Sequence, residues 1–165
     1  MSESIAAVKL NNVLSECELH QKRINYALSK LKQFMPLKVE DYKCLNDEQV
    51  EALDQFLFRF SKLQDTIGQR LFPGILELGE ESVKTLTFLD LLNRLEQLNV
   101  IDSKEQWLTL RNMRNKLAHE YEDDSEGMTD ALNFIYASYP ILANIFSQAR
   151  AYAVNKMALA PKGSL

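Results

Sequence analysis

The residues best equipped for chemistry lie in one stretch, Arg111-Asn-Met-Arg-Asn-Lys-Leu-Ala-His-Glu-Tyr121. Arginine keeps its charge at every physiological pH and presents a planar fork of donors suited to phosphate, whereas histidine titrates near neutrality. Arg114 and His119 together therefore offer a fixed clamp and a proton carrier. That pair suits phosphodiester cleavage: histidine takes the proton from a ribose 2′-hydroxyl while arginine holds the charge growing on the phosphoryl oxygens, and no metal is needed. The plain alternative is a helix-end cap, because an arginine and a histidine five residues apart recur in sequences without catalytic meaning.

Helical spacing constrains how these groups can meet. Trp107, Leu110, Arg114, Leu117 and Tyr121 recur in steps of three and four, which sets Arg114 in the middle of an inward stripe. A buried unpaired charge is costly, so Arg114 must either meet a carboxylate or face a cleft, such as one at a subunit seam. Asn115 and His119 share the adjacent face, with Arg111 one turn earlier. His119 sits about 140° around the helix from Arg114, so one straight helix splays their tips. They converge if the helix ends near Ala118 or if a second copy supplies the complementary groups. The resulting expectation is a symmetric homodimer with a shared groove.

The elements that must position this stretch read as helices throughout. Five glycines and four prolines among 165 residues are sparse punctuation, and no β-branched run alternates cleanly. The fold class expected is all-α, an antiparallel bundle of about five helices. The first spans about residues 4 to 35, carried by Leu10, Val13, Leu14, Cys17, Ile24, Ala27, Leu28, Leu31 and Met35, and Pro36 ends it. Asn46 with Gln49 caps a second helix, whose stripe is Val50, Leu53, Phe56, Leu57, Phe60, Leu63, Ile67 and Leu71 and which Pro73-Gly74 stops. A third begins near Thr87 with Leu89, Leu92, Leu95 and Leu98 inward, and the intervening Gly74 to Leu86 is ambiguous. Ser103 with Gln106 forms a capping box for the fourth. A fifth runs from near Thr129 to about Met157, with Pro140 at a kink or a fresh first turn. Residues 1–160 read as a single domain and 161–165 as a frayed tail.

Composition narrows the class. With 46% hydrophobic and 25% charged residues the chain can fill a core, unlike disordered sequences. A net charge of -4 argues against broad nonspecific nucleic-acid affinity while leaving room for a local RNA site. Cys17 and Cys44 are too few for a disulfide framework and lack metal-ligand spacing. No apolar run approaches the ~18 residues that cross a bilayer, and the opening Met1-Ser-Glu-Ser does not read as a signal peptide. The expectation is a soluble cytoplasmic protein with no membrane association and neither metal nor cofactor.

The segment Arg114-Asn115-Lys-Leu-Ala-His119-Glu-Tyr121 resembles the signature of HEPN domains, specifically the HepT-like toxin ribonucleases. That pattern is an arginine, a polar residue, three further positions and a histidine, then one residue and a tyrosine, and every fixed position is filled. The phenylalanine-rich run from Phe56 to Gln64, upstream in a long helix, agrees with it, so the resemblance spans about residues 4 to 157. It implies a HEPN-type helical bundle and a metal-independent endoribonuclease toxin acting as a dimer. Arg114 would be the transition-state clamp, His119 the acid or base and Asn115 the orienting group. It also implies a partner: a minimal nucleotidyltransferase antitoxin that adds AMP to Tyr121. The alternative within the superfamily is a noncatalytic substrate-binding helper subunit of a nucleotidyltransferase; a plain helical dimerisation module is a further rival.

Three other features have readings of their own. Glu120, Glu122, Asp123, Asp124 and Glu126 surround the motif with carboxylates, read as a solvated acidic loop or as a docking surface for a basic face of the antitoxin, with metal binding a third reading that the HEPN resemblance does not support. His20 lies on the apolar stripe of the first helix and is expected to be partly buried and hydrogen-bonded. Trp107, Tyr136, Tyr139 and Tyr152 sit at helical spacing that favours packing over base stacking.

Overall fold

The computed structural model describes residues 4–119 and 123–159, all of them in helices or in the turns between helices, with no strand among them. The helices are α1 (Ile5–Leu31), α2 (Val39–Tyr42), α3 (Asp47–Thr66), α4 (Phe72–Leu78), α5 (Phe88–Gln97), α6 (Lys104–His119) and α7 (Ser125–Leu159), with a π-helical turn, Ile67–Leu71, joining α3 to α4. None of the described helices is long and apolar enough to cross a membrane.

Caps fix where the helices begin. Ser4 accepts from the Ala7 amide, Asn46 and Gln49 exchange bonds across a complete capping box, and Thr87 and Asp90 form another. Ser103 Oγ accepts from the Gln106 amide at 3.2 Å. α1 ends at Leu31 rather than 35, because a residue before proline is driven from the helical region and Met35 precedes Pro36. α7 begins at Ser125, four residues before Thr129: Asp124 Oδ1 accepts from the Gly127 amide and its carbonyl from the Met128 amide. Part of the acidic run is thus a helix cap. Pro140 lies inside α7 rather than at a fresh first turn, on the exposed side of the helix.

α1 and α3 pair antiparallel, as Glu16 bonding Arg70 and His20 facing Arg59 show. α7 runs antiparallel to α1, fixed by Arg150 on Glu18 at 2.9 Å, and antiparallel to α6, with Gln148 reaching Asp102 at 3.0 Å. Between them lies an aromatic core in which Phe56 meets Phe60 at 5.8 Å and both meet Tyr139, with Tyr136 at the edge. The tyrosines pack as their spacing predicts. On α5 the inward face is Leu91, Leu92 and Leu95; Leu89, expected inside, is half-exposed because its neighbour Phe88 takes the contact with α6. Val50 is likewise at the surface, and Ala52 takes the buried position beside Leu53.

His20 is buried, its Nδ1 3.1 Å from an Arg59 N–H donor, and burial followed by the Arg59 charge lowers its pKa. Cys17 is buried, which pushes its thiol up to about 12, and Cys44 is exposed. The connection from α1 to α3 is held at Leu37. Asn133 of α7 accepts from the Leu37 amide at 2.7 Å and donates to its carbonyl at 2.8 Å.

Candidate functional site: a cleft between α3 and α6

Pro73-Gly74 does not stop the second long helix. The chain widens by one residue per turn at Ile67–Leu71, so that the Phe72 amide reaches back to the Ile67 carbonyl, and helical structure resumes as α4. Pro73 falls in the first turn of α4, where its missing donor is not required. Such π turns commonly occur at functional sites. This one brings Gly68 against α6: a Cβ there would lie 2.9 Å from Trp107 Cζ2, so only glycine lets that edge of the indole ring approach the turn so closely. Phe72 packs against the same ring at a tilt, with centroids 4.9 Å apart.

Above Trp107, α6 presents Arg111 and Arg114 to the end of α3. The Arg114 guanidinium bonds Asp65 through two nitrogens, at 2.8 and 3.3 Å, in a fork-to-carboxylate pair that is only partly exposed. Both outcomes open to Arg114 in the sequence are therefore realised at once: it meets a carboxylate and it lines a cleft. The cleft is a cavity of about 390 Å³, within the ordinary range for small-molecule sites. Gln64, Asp65, Trp107, Arg111 and Arg114 supply its polar wall. Val83, Leu86 and Leu91 supply an apolar one, and Phe88 carries the Arg111 guanidinium at 4.9 Å from its ring centre.

Polar satisfaction fails here more than elsewhere. Five buried side-chain atoms among the described residues lack a hydrogen-bond partner, and four belong to this wall: both ends of the Gln64 amide, Trp107 Nε1 and Arg114 Nε. Each such group costs about 1–3 kcal/mol when left unpaired. The loop that roofs the cavity is pinned, since Glu81 bonds Arg94 of α5 at 2.8 and 3.2 Å.

The predicted site residues are not all brought together. α6 stays helical through His119, which is exposed at its last position, and Asn115 is exposed as well; neither lines the cavity that Arg114 faces. The helix reaches His119, one residue past Ala118, and residues 120–122 that follow lie outside the described residues. Tyr121, with Glu120 and Glu122, lies outside the described residues. Sequence reasoning missed Gln64, Asp65, Gly68 and Phe88. One signal was present, since Gln64 falls four residues after Phe60 and three before Ile67, a polar residue inside an apolar stripe. No group of three or more metal-ligating side chains is found among the described residues. No protein family, curated protein or solved structure matches the chain.

Proposed function

We propose that the protein is a metal-independent endoribonuclease toxin of the HEPN, HepT-like kind, in which Arg114 clamps the scissile phosphate, His119 acts as acid or base and Asn115 orients the attacking group. The observation that carries this reading is the grip of Asp65 on Arg114. Of five guanidinium donors the carboxylate engages two, and Nε is a buried third, so the remaining N–H groups stand fixed at a cleft mouth where a phosphate can take them. Holding the clamp in place beforehand is what transition-state stabilisation requires.

The geometry sets a condition. Because α6 is helical through His119, the two side chains diverge within one copy, and the reading requires a homodimer in which the histidine of one copy approaches the arginine of the other. In this proposal the protein works in the cytoplasm, and a nucleotidyltransferase antitoxin silences it by adding AMP to Tyr121. The exposed Asp123 and Asp124 are available to a basic face of that partner.

Purified protein should cut RNA in the presence of EDTA and leave DNA intact, since the attacking group is the 2′-hydroxyl. His119→Ala should lose about 10²–10⁴ in rate, and Arg114→Lys should also be impaired because lysine lacks the two-pronged fork. Light scattering should give twice 19.0 kDa. A monomeric species that still cuts RNA, or cleavage abolished by EDTA, would refute this mechanism.

The same Asp65 pairing favours a second reading, a noncatalytic helper subunit that binds substrate for a nucleotidyltransferase. There Arg114 is structural, its charge neutralised by Asp65. Folded, dimeric protein that cuts no RNA and whose Tyr121→Phe variant still binds the nucleotidyltransferase would decide for the helper.

A further inference from the structure

The cavity between α3 and α6 holds a charge that the fold leaves uncompensated. Asp65, Arg111 and Arg114 are the charged side chains in its wall, and Asp65 is taken up by Arg114 through two nitrogens. Arg111 joins none of the ion pairs among the described residues. It is exposed, and its guanidinium rests on Phe88, 4.9 Å from the ring centre, a contact that leaves its fork of N–H donors unspent. Beside this cation the wall is apolar. Val83, Leu86 and Phe88 are each only partly buried where they line the cavity, so a ligand seated there removes further apolar surface from water. The connection that carries Val83 and Leu86 is held by Glu81 on Arg94, which builds this wall before any ligand arrives.

We infer that the cavity binds a small monocarboxylate with an apolar body, its carboxylate forked on Arg111 and its body against Val83, Leu86 and Phe88. The two oxygens of a carboxylate match the two-pronged guanidinium. Asp65, Arg111 and Arg114 sum to one positive charge, which a carboxylate balances and a doubly charged phosphate monoester exceeds. A sugar or other polyhydroxyl compound would set unpaired polar groups against the apolar wall. A volume of about 390 Å³ admits a single ring or a medium alkyl chain. The inference goes beyond the nuclease reading and does not require that RNA be cut.

Trp107, the only tryptophan in the chain, lines the same cavity, so its emission reports on filling. Octanoate and phenylacetate should change that emission saturably. Across butyrate, hexanoate and octanoate the affinity should rise about fourfold for each added methylene, the worth of burying it. Octanol, which keeps the body and loses the charge, should bind at least about tenfold more weakly than octanoate, and octylammonium more weakly still. Arg111→Gln removes an exposed charge and should melt close to the parent. It should weaken octanoate at least about tenfold and leave octanol unchanged, a split that a general disturbance of the fold would not produce.

If this variant fails to fold, the chain-length and charge series on the parent protein decide alone. No emission change at millimolar octanoate, affinity that ignores chain length, or equal binding of octanoate and octylammonium overturns the inference. So does an Arg111→Gln protein that binds octanoate as tightly as the parent, and tighter binding of octyl phosphate than of octanoate overturns the choice of a carboxylate. Cleavage is measured separately. Binding without cleavage refutes only the nuclease reading, and cleavage without binding refutes only this one.

Discussion

One helix, α3, carries two regions built on opposite rules. Over its middle turns Phe56 and Phe60 are about 1% exposed and interlock with Tyr136 and Tyr139, and apolar spacing alone dictates that arrangement. Over its last turn Gln64 points a polar amide inward, Asp65 grips Arg114, and the helix then widens into a π turn. Contacts in the first region are made by filling space. Those in the second leave polar atoms unspent. A fold held only by the first rule would favour leucine at position 64, so the two regions differ in whether polar atoms inside the chain find partners within it.

The contrast can be broken most severely in the aromatic core. Phe56→Ala should destabilise by about 3–5 kcal/mol, through lost burial and an unfilled cavity, seen as a lowered denaturant midpoint with unchanged slope. A loss below about 1 kcal/mol would mean that the core around Tyr139 is not close-packed. Gly68→Ala comes next. Alanine usually gains stability over glycine in a helix, but here the new methyl meets the rigid Trp107 ring at 2.9 Å. A net loss of about 1–3 kcal/mol with a shift in tryptophan emission is expected, and a gain would show that the π turn does not hold the indole.

Asp65→Ala should cost about 1–2 kcal/mol, less than a fully buried pair, since the two side chains keep 37% and 26% exposure. Asp65→Asn, which retains one acceptor, should recover part of this. Equal stability of both variants with the parent would remove the argument that Arg114 is held. The smallest effect concerns pH. Burial, then Arg59, lowers the His20 pKa from 6.5, against which the nearby Glu16 acts in the opposite direction and Lys62 in the same one. Below pH 6.5 the unfolded chain therefore binds more protons at this position than the folded one, and stability falls as the pH falls. The slope cannot exceed about 1.4 kcal/mol per pH unit. His20→Gln should flatten that part of the stability profile, and an unchanged profile would count against the buried neutral imidazole.

What could be read in the sequence follows the same division. The all-α class, the Asn46, Thr87 and Ser103 helix starts and the inward faces of α1 and α3 are local or periodic, so spacing and cap chemistry reveal them. Arg114 could be recognised as a residue needing a partner, but Asp65 lies 49 positions away and only the pairing of α3 with α6 selects it. The π turn was hidden because Pro73-Gly74 also reads as a helix stop, whereas here proline falls in the first turn of the helix that resumes. Leu89 and Leu92 share one spacing pattern with two solutions, and Phe88 decides between them.

Asn133 has a consequence for how much change the chain can absorb. By accepting from and donating to the two peptide groups of Leu37, one side chain on α7 performs the service of a neighbouring strand. The connection from Leu31 to Asp47 is thereby divided into two short spans anchored to the far end of the sequence, so α1 and α3 owe their mutual placement partly to a residue about a hundred positions later. Closing a loop costs little more when it lengthens, so extra residues inserted after Lys43 should be absorbed by the second span alone. The same insertion at Leu37 would break both bonds to Asn133 and free the connection from α7, while the Arg150–Glu18 pair and the aromatic core still hold α7 to α1 and α3.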